Sequence, residues 1–235
     1  MFGRRKRLTA AELVKKLERN PEFVARRAAK LEEHARKIAP ALEIQKQILS
    51  ELSSRQVVAD SLAGLGNSGN VPPAAVDVLL AWLSRTEDPN IRMAIVRPLA
   101  AATEPFDGTP LARIFDGTDH YTLRWTIANT IACAHPTGLS EWLESRLSDS
   151  SLGRTREMLA IAAGQMLDPS TASKLLRKAF SELPGHCTIG LGECGGQEDL
   201  GFLVSERDRY DGWVRKEIDG AIEKIRSRKG DAEKT

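Results

Sequence analysis

Aromatic residues are scarce in this sequence of 235 residues: Phe, Trp and Tyr together make up 5% of it. Sheet architectures draw on aromatic and β-branched strands, and few segments here alternate strictly between apolar and polar, so a sandwich or barrel is excluded as the expectation. Cysteine is nearly absent. Cys133, Cys187 and Cys194 are odd in number and unpatterned in spacing, which removes a disulfide framework and suits a reducing, cytoplasmic setting. There is no C-x-x-C, so the commonest zinc spacings are missing as well. No run approaches the roughly 18 uninterrupted apolar residues of a membrane span. The first twenty residues carry the charge of a signal n-region without an apolar stretch behind it, so no leader and no membrane partner are expected.

What is present is Ala, Leu, Glu, Lys and Arg in abundance, the composition of a helical chain. The net charge of +2 hides an asymmetry: residues 1–40 hold 12 Lys and Arg against 5 Glu, and the remainder 22 against 27 acids. The basic excess is therefore local. Thr9 followed by Glu12 spells a capping box, and Asn20-Pro21 ends one helix and opens the next. On that second helix Val24, Ala28, Leu31, Ala35 and Ile38 form a narrow apolar seam among charges. Two heptads are few for a coiled coil, so the seam is expected to pack on the rest of the chain or on a second copy.

From residue 41 onward the sequence resembles itself. Six windows align on a basic residue: "RQVVADSLAGLG" from Arg55, "RMAIVRPLAAAT" from Arg92, "RWTIANTIACAH" from Arg124, "REMLAIAAGQML" from Arg156, "HCTIGLGECGGQ" from His186 and "RKEIDGAIEKIR" from Arg215. Their fourth residues are all aliphatic: Val58, Ile95, Ile127, Leu159, Ile189 and Ile218. Another amphipathic stretch precedes each window, such as "AAVDVLLAWLSR" or "LSEWLESRL", so the unit reads helix, turn, helix. Such pairs cannot bury an apolar face alone, and a period of 30 to 40 residues implies that they stack. "DPNIR" at Asp88–Arg92 and "DGWVR" at Asp211–Arg215 are similar to the D-x-x-[VI]-R turn of HEAT repeats, with "DHYTLR" at Asp119–Arg124 one residue longer. Over residues 41–228 the chain resembles a small bacterial HEAT-repeat protein of the phycobilisome-lyase-like kind. The resemblance implies an all-α, right-handed α-solenoid of about five or six helix pairs. Residues 1–40 would be a basic helical cap and residues 229–235 a polar tail. In such a turn the Asp is expected to cap the second helix and pair with the Arg. Pro98 should kink or break its helix, and the glycine-rich fifth window should be the weakest.

That window contains Gly190, Gly192 and Gly195, the G-x-G-x-x-G of a dinucleotide turn. A fingerprint of that type needs a strand before it and a βαβ unit around it, and "SELPGHCTI" offers neither. Small residues for close helix approach are the better reading. Cys187 and Cys194 lie two repeats from Cys133 and His135, so no metal site is expected, and no cofactor. HEAT-repeat diiron hydroxylases use His-Glu pairs, which this chain lacks altogether. His34, His120, His135 and His186 stand in no nucleophile or acid–base context, so no catalytic residue is assigned. Trp82, Trp142 and Trp213 read as core on outer helices or turns.

Recognition in a solenoid falls on the concave surface of its inner helices. Positions turned away from the aliphatic ones put Met93, Arg97, Trp125, Asn129, Glu157, Ile161 and Gln165 there, with Trp125 as the expected anchor for another protein. The expected function is a non-enzymatic adaptor or scaffold. The alternative is a nucleic-acid-binding solenoid whose basic arm, Arg4, Arg5, Lys6 and Arg7, contacts phosphate. HEAT-like DNA glycosylases join tryptophans to a catalytic Asp on a basic face. Trp125, Asn129, Arg97 and Arg124 are similar in placement, but Asn supplies no carboxylate and the repeat region is net acidic.

Overall fold

Thr9 opens the first helix as its capping box requires: its hydroxyl accepts the Glu12 N–H at 3.3 Å while the Glu12 carboxylate accepts the Thr9 N–H at 2.9 Å. The computed structural model describes the backbone of residues 9–232, and the side chains of these except His34, Lys37 and residues 229–232. Arg4, Arg5, Lys6 and Arg7 lie outside the described residues, as do 233–235 of the expected 229–235 tail, whose first four residues are helical in backbone. Helix α1 spans Ala10–Glu18, and Asn20 then caps α2, Pro21–Ser54, by accepting the N–H groups of Glu22 and Phe23. The chain divides into two compact units, Met1–Gln47 and Ile48–Thr235, with the boundary inside α2.

In the second unit the helices follow as α3 Leu62–Asn67, α4 Pro73–Arg85, α5 Pro89–Leu99, α6 Thr109–Asp116, α7 Tyr121–Ala134, α8 Ser140–Ser148, α9 Glu157–Met166, α10 Pro169–Ala179, α11 Pro184–Cys194, α12 Gln197–Glu206 and α13 Gly212–Ala232. Short 3-10 turns at Ser150–Arg156 and Arg207–Arg209 precede α9 and α13. The described chain is all-α, its only β pairing being isolated bridges at Val71–Ala102 and Asp107–Thr137. No described helix is long and apolar enough to cross a membrane. Odd-numbered helices adjoin one another in order, α3 on α5, then α7, α9, α11 and α13, and each even-numbered helix from α4 packs on the odd one that follows. The aliphatic positions make this possible: Ile95, Ile127, Leu159 and Ile218 are fully buried. Burying a side chain of this size contributes about 2 kcal/mol.

The recurring arginine has a physical task. Arg92 donates through Nε to the Thr86 carbonyl at the end of α4, Arg124 through Nε to the Phe115 carbonyl at the end of α6, and Arg156 through Nη1 to the Leu147 carbonyl at the end of α8. The last turn of a helix leaves carbonyls without partners and a partial negative charge, and a guanidinium from the next helix answers both. The acid of the turn plays a narrower part than expected. Asp88 caps α5 through the Asn90 and Ile91 N–H groups, whereas on α7 His120 is the cap and Asp119 pairs with Arg124 at 3.2 Å.

Two expectations about helices need correction. The first window is not one helix: α2 ends at Ser54, Gln56 takes φ +63°, and Val58 stands 89% exposed in the connecting loop, leaving Leu62 and Leu65 of α3 to fill the core. Pro98 does not break α5, because it is the penultimate helical residue, buried, and its backbone is the surface on which Gly66 packs. The glycine-rich window forms α11, a regular helix from Pro184 to Cys194.

Candidate functional site

Along one face of α7 Thr122, Trp125, Asn129 and Cys133, spaced by three and four, are half-buried or exposed, while Leu123, Ile127 and Ile131 are buried on the other. The neighbouring helices repeat the arrangement. Ala94 and Arg97 on α5, Met158, Ile161 and Gln165 on α9, and His186, Ile189 and Glu193 on α11 are all half-buried or exposed. Helices α5, α7, α9 and α11 are consecutive neighbours, and each carries one such strip. Partly exposed apolar groups lie on these strips: Trp125, Met158, Ile161 and Ile189.

Charges and aromatic rings occupy the two ends. At the N-terminal ends of the helices Arg154 pairs with Glu157 at 2.7 Å, and exposed Tyr121 lies near enough to act on the Arg154 charge. Next along the row His186 meets the Trp213 ring, with centroids 5.4 Å apart. Burial holds the His186 imidazole below its ordinary value of 6.5; Glu157 and Glu217 pull it up and Arg154 pushes it down. At the C-terminal ends Lys224 of α13 pairs with Glu193 of α11 at 2.7 Å.

Of the residues expected here, Trp125, Asn129 and Ile161 are half-buried and Arg97 and Gln165 exposed, on three consecutive neighbouring helices. Met93 and Glu157 are buried: Met93 faces the α5 core, and the Glu157 carboxylate is tied to Arg154. On α11 the alignment is rotated. Cys187, Leu191 and Gly195 are buried where α7 shows its accessible strip, and His186, Ile189 and Glu193 are presented instead. The glycines cause the rotation. A Cβ on Gly164 would stand 2.3 Å from the Gly190 carbonyl oxygen and one on Gly190 would stand 2.5 Å from that of Ala160, so α9 and α11 touch backbone to backbone.

Sequence reasoning placed Trp213 in the core, but it is half exposed on α13, held by Gly185, whose absent side chain makes room for the ring. A glycine in the first turn of the preceding inner helix was the signal that could have revealed this. Trp82 and Trp142 are half-buried with their indole N–H groups bonded to Glu51 and Asp116.

The thiols are shielded to different degrees. Burial pushes Cys187 up to about 12 and Cys194 up to about 11, while Cys133 is exposed on the α7 strip. Such raised values deprive a thiol of the thiolate needed for attack or metal ligation. Among the described residues no three His, Cys, Asp or Glu side chains gather as a metal site would require. Chemically the surface can bury apolar area and align a few hydrogen bonds. No protein-family model matches the chain, and neither a curated protein nor a solved structure does.

Proposed function

We propose that the second unit is a right-handed α-solenoid of five or six HEAT-like helix pairs that binds another protein on the surface of its odd-numbered helices. The protein is then an adaptor or scaffold without enzymatic activity, of the small bacterial HEAT-repeat kind, working in the reducing cytoplasm that its three free thiols suit. The observation that carries this reading is the run of partly exposed apolar groups, Trp125, Ile161 and Ile189, on three successive neighbouring helices. A half-buried tryptophan with Asn129 one turn along the same helix face is the composition of a binding hot spot, with one wide ring to bury and a polar group beside it. Fold alone would not warrant the claim, since the same architecture serves many ends.

Trp125→Ala tests it. The expected outcome is loss of a captured partner by at least thirtyfold in affinity, about 2 kcal/mol, with the helical circular-dichroism signal and melting temperature unchanged. Retention of every partner at full affinity removes this surface from the site. Binding to duplex DNA or RNA that weakens steeply with salt and disappears without residues 1–40 would transfer the function to the basic arm.

A further inference from the structure

The arm helix α2 carries an apolar seam that nothing described covers. Val24, Leu31, Ile38 and Leu42 are all exposed, Leu31 at 60%, and Ala28 and Ala35 between them are exposed too. These six positions step by four and three along one unbroken helix, so Val24, Leu31 and Ile38 take the d places of a heptad and Ala28, Ala35 and Leu42 the a places. Pro40 falls at f, the position farthest from the seam, where its missing N–H interrupts only the outer side of the helix.

We infer that this seam pairs with the same seam of a second copy in a parallel, in-register two-helix coil. Charge complementarity selects the occupant. Arg27 lies at g and Glu32 at the e position five residues later, the two places that face one another across a parallel coil, so each copy offers its cation to the other's anion and the dimer holds two such pairs. An antiparallel pair overlapping on the same stretch would set Arg27 against Ala41 and forfeit the match. Among the described side chains Glu32 pairs with Arg36, at 3.3 Å with both groups widely exposed, a contact too weak to compete. Away from the seam the helix mixes signs too, with Glu22, Arg36 and Glu43 at b, Lys30 at c and Arg26 at f, so it is no uniformly cationic surface. A phosphate surface, whether lipid or nucleic acid, asks for cations alone. Small alanines at two of the three a places bring the helix axes close and keep the apolar area modest, so the dimer is a weak one that forms at micromolar concentration.

Sedimentation of the full chain over a concentration series tests the pairing. The wild type is expected to pass from monomer to dimer, and Leu31→Glu to stay monomeric with its melting temperature unchanged. Arg27→Glu and Glu32→Arg are each expected to weaken the dimer about tenfold, and the double variant to restore it, since only a partner bearing the same pair in the same direction responds that way. Leu31→Cys in a Cys133→Ser background should oxidise to a disulfide-linked dimer, because d positions meet across a parallel coil. A chain that stays monomeric to 100 μM overturns the inference, as does a dimer indifferent to the charge exchange or to Leu31→Glu. So does a monomer whose arm binds phosphatidylserine vesicles or duplex DNA.

Discussion

Asp199 shows how a single residue joins two helices and sets a pH limit. Its buried carboxylate accepts from Ser173 Oγ at 2.6 Å and Arg177 Nε at 2.7 Å, both on α10, and from its own Gly196 N–H at 2.9 Å at the start of α12. Burial raises its pKa, but the three hydrogen bonds together with the Arg177 charge outweigh that and hold it below the ordinary 3.8. A depressed carboxyl stabilises the fold fully above its unfolded value and stops doing so as pH falls through its folded value. His186 acts at milder acidity: with its pKa below 6.5 the folded chain resists protonation while the unfolded chain accepts it, so stability is lost as pH falls below 6.5. Urea unfolding against pH is therefore expected to decline in two steps, the first below 6.5 and the second below about 4. His186→Gln removes the first step alone. Asp199→Asn costs about 2 kcal/mol at neutral pH, a difference that vanishes in strong acid. One smooth decline that neither substitution alters would contradict these assignments.

At the scale of the element, α11 reverses the usual propensity argument. Its glycines cost about 1 kcal/mol each in an isolated helix, which is why the sequence marks this window as the weakest. In the fold the same absences admit the α9 backbone at Gly190, the α13 side chain of Ala221 at Gly192 and the Trp213 ring at Gly185. Gly190→Ala, a gain in propensity, is thus expected to destabilise by about 2 kcal/mol through overpacking, because the added carbon would stand 2.5 Å from the Ala160 carbonyl oxygen, a backbone atom that cannot step aside, with the Leu176 methyl groups crowding it as well. Gly201→Ala on α12, where no neighbour stands within 4 Å of the added carbon, is expected to be neutral or stabilising. Thermal melts of the two variants check the contrast. Helix positions were legible in the sequence where apolar period and cap agreed, as at Thr9, Asn20 and Asp88. Exposure on α11 was not, since an alignment by window assumes one rotation for all helices and glycine contact changes it. Val58 was misjudged for a related reason. A matching apolar position carries no sign of the chain reversal at Gln56, which depends on a positive φ that Gln rarely adopts.

Across the whole second unit, contacts run mainly between successive helix pairs, so stability should be distributed along the row rather than concentrated in one core. Helix α3 has six residues and one odd-numbered neighbour, α5, whereas α9 and α11 are packed on both sides by other odd-numbered helices. Local opening follows the number of buried partners, so hydrogen exchange should be fastest in α3 and slowest in α9 and α11. The two kinds of substitution then separate. Leu65→Ala empties a buried site of α3 and should speed exchange there and in α5 while leaving α11 protected. Gly190→Ala should speed exchange in α9, α11 and α13 together, because α11 touches both flanking helices. Exchange resolved by mass spectrometry of peptides from each helix reads both patterns. If Leu65→Ala accelerates every helix equally, the unit unfolds as a single cooperative body and the neighbour-by-neighbour account of its stability fails.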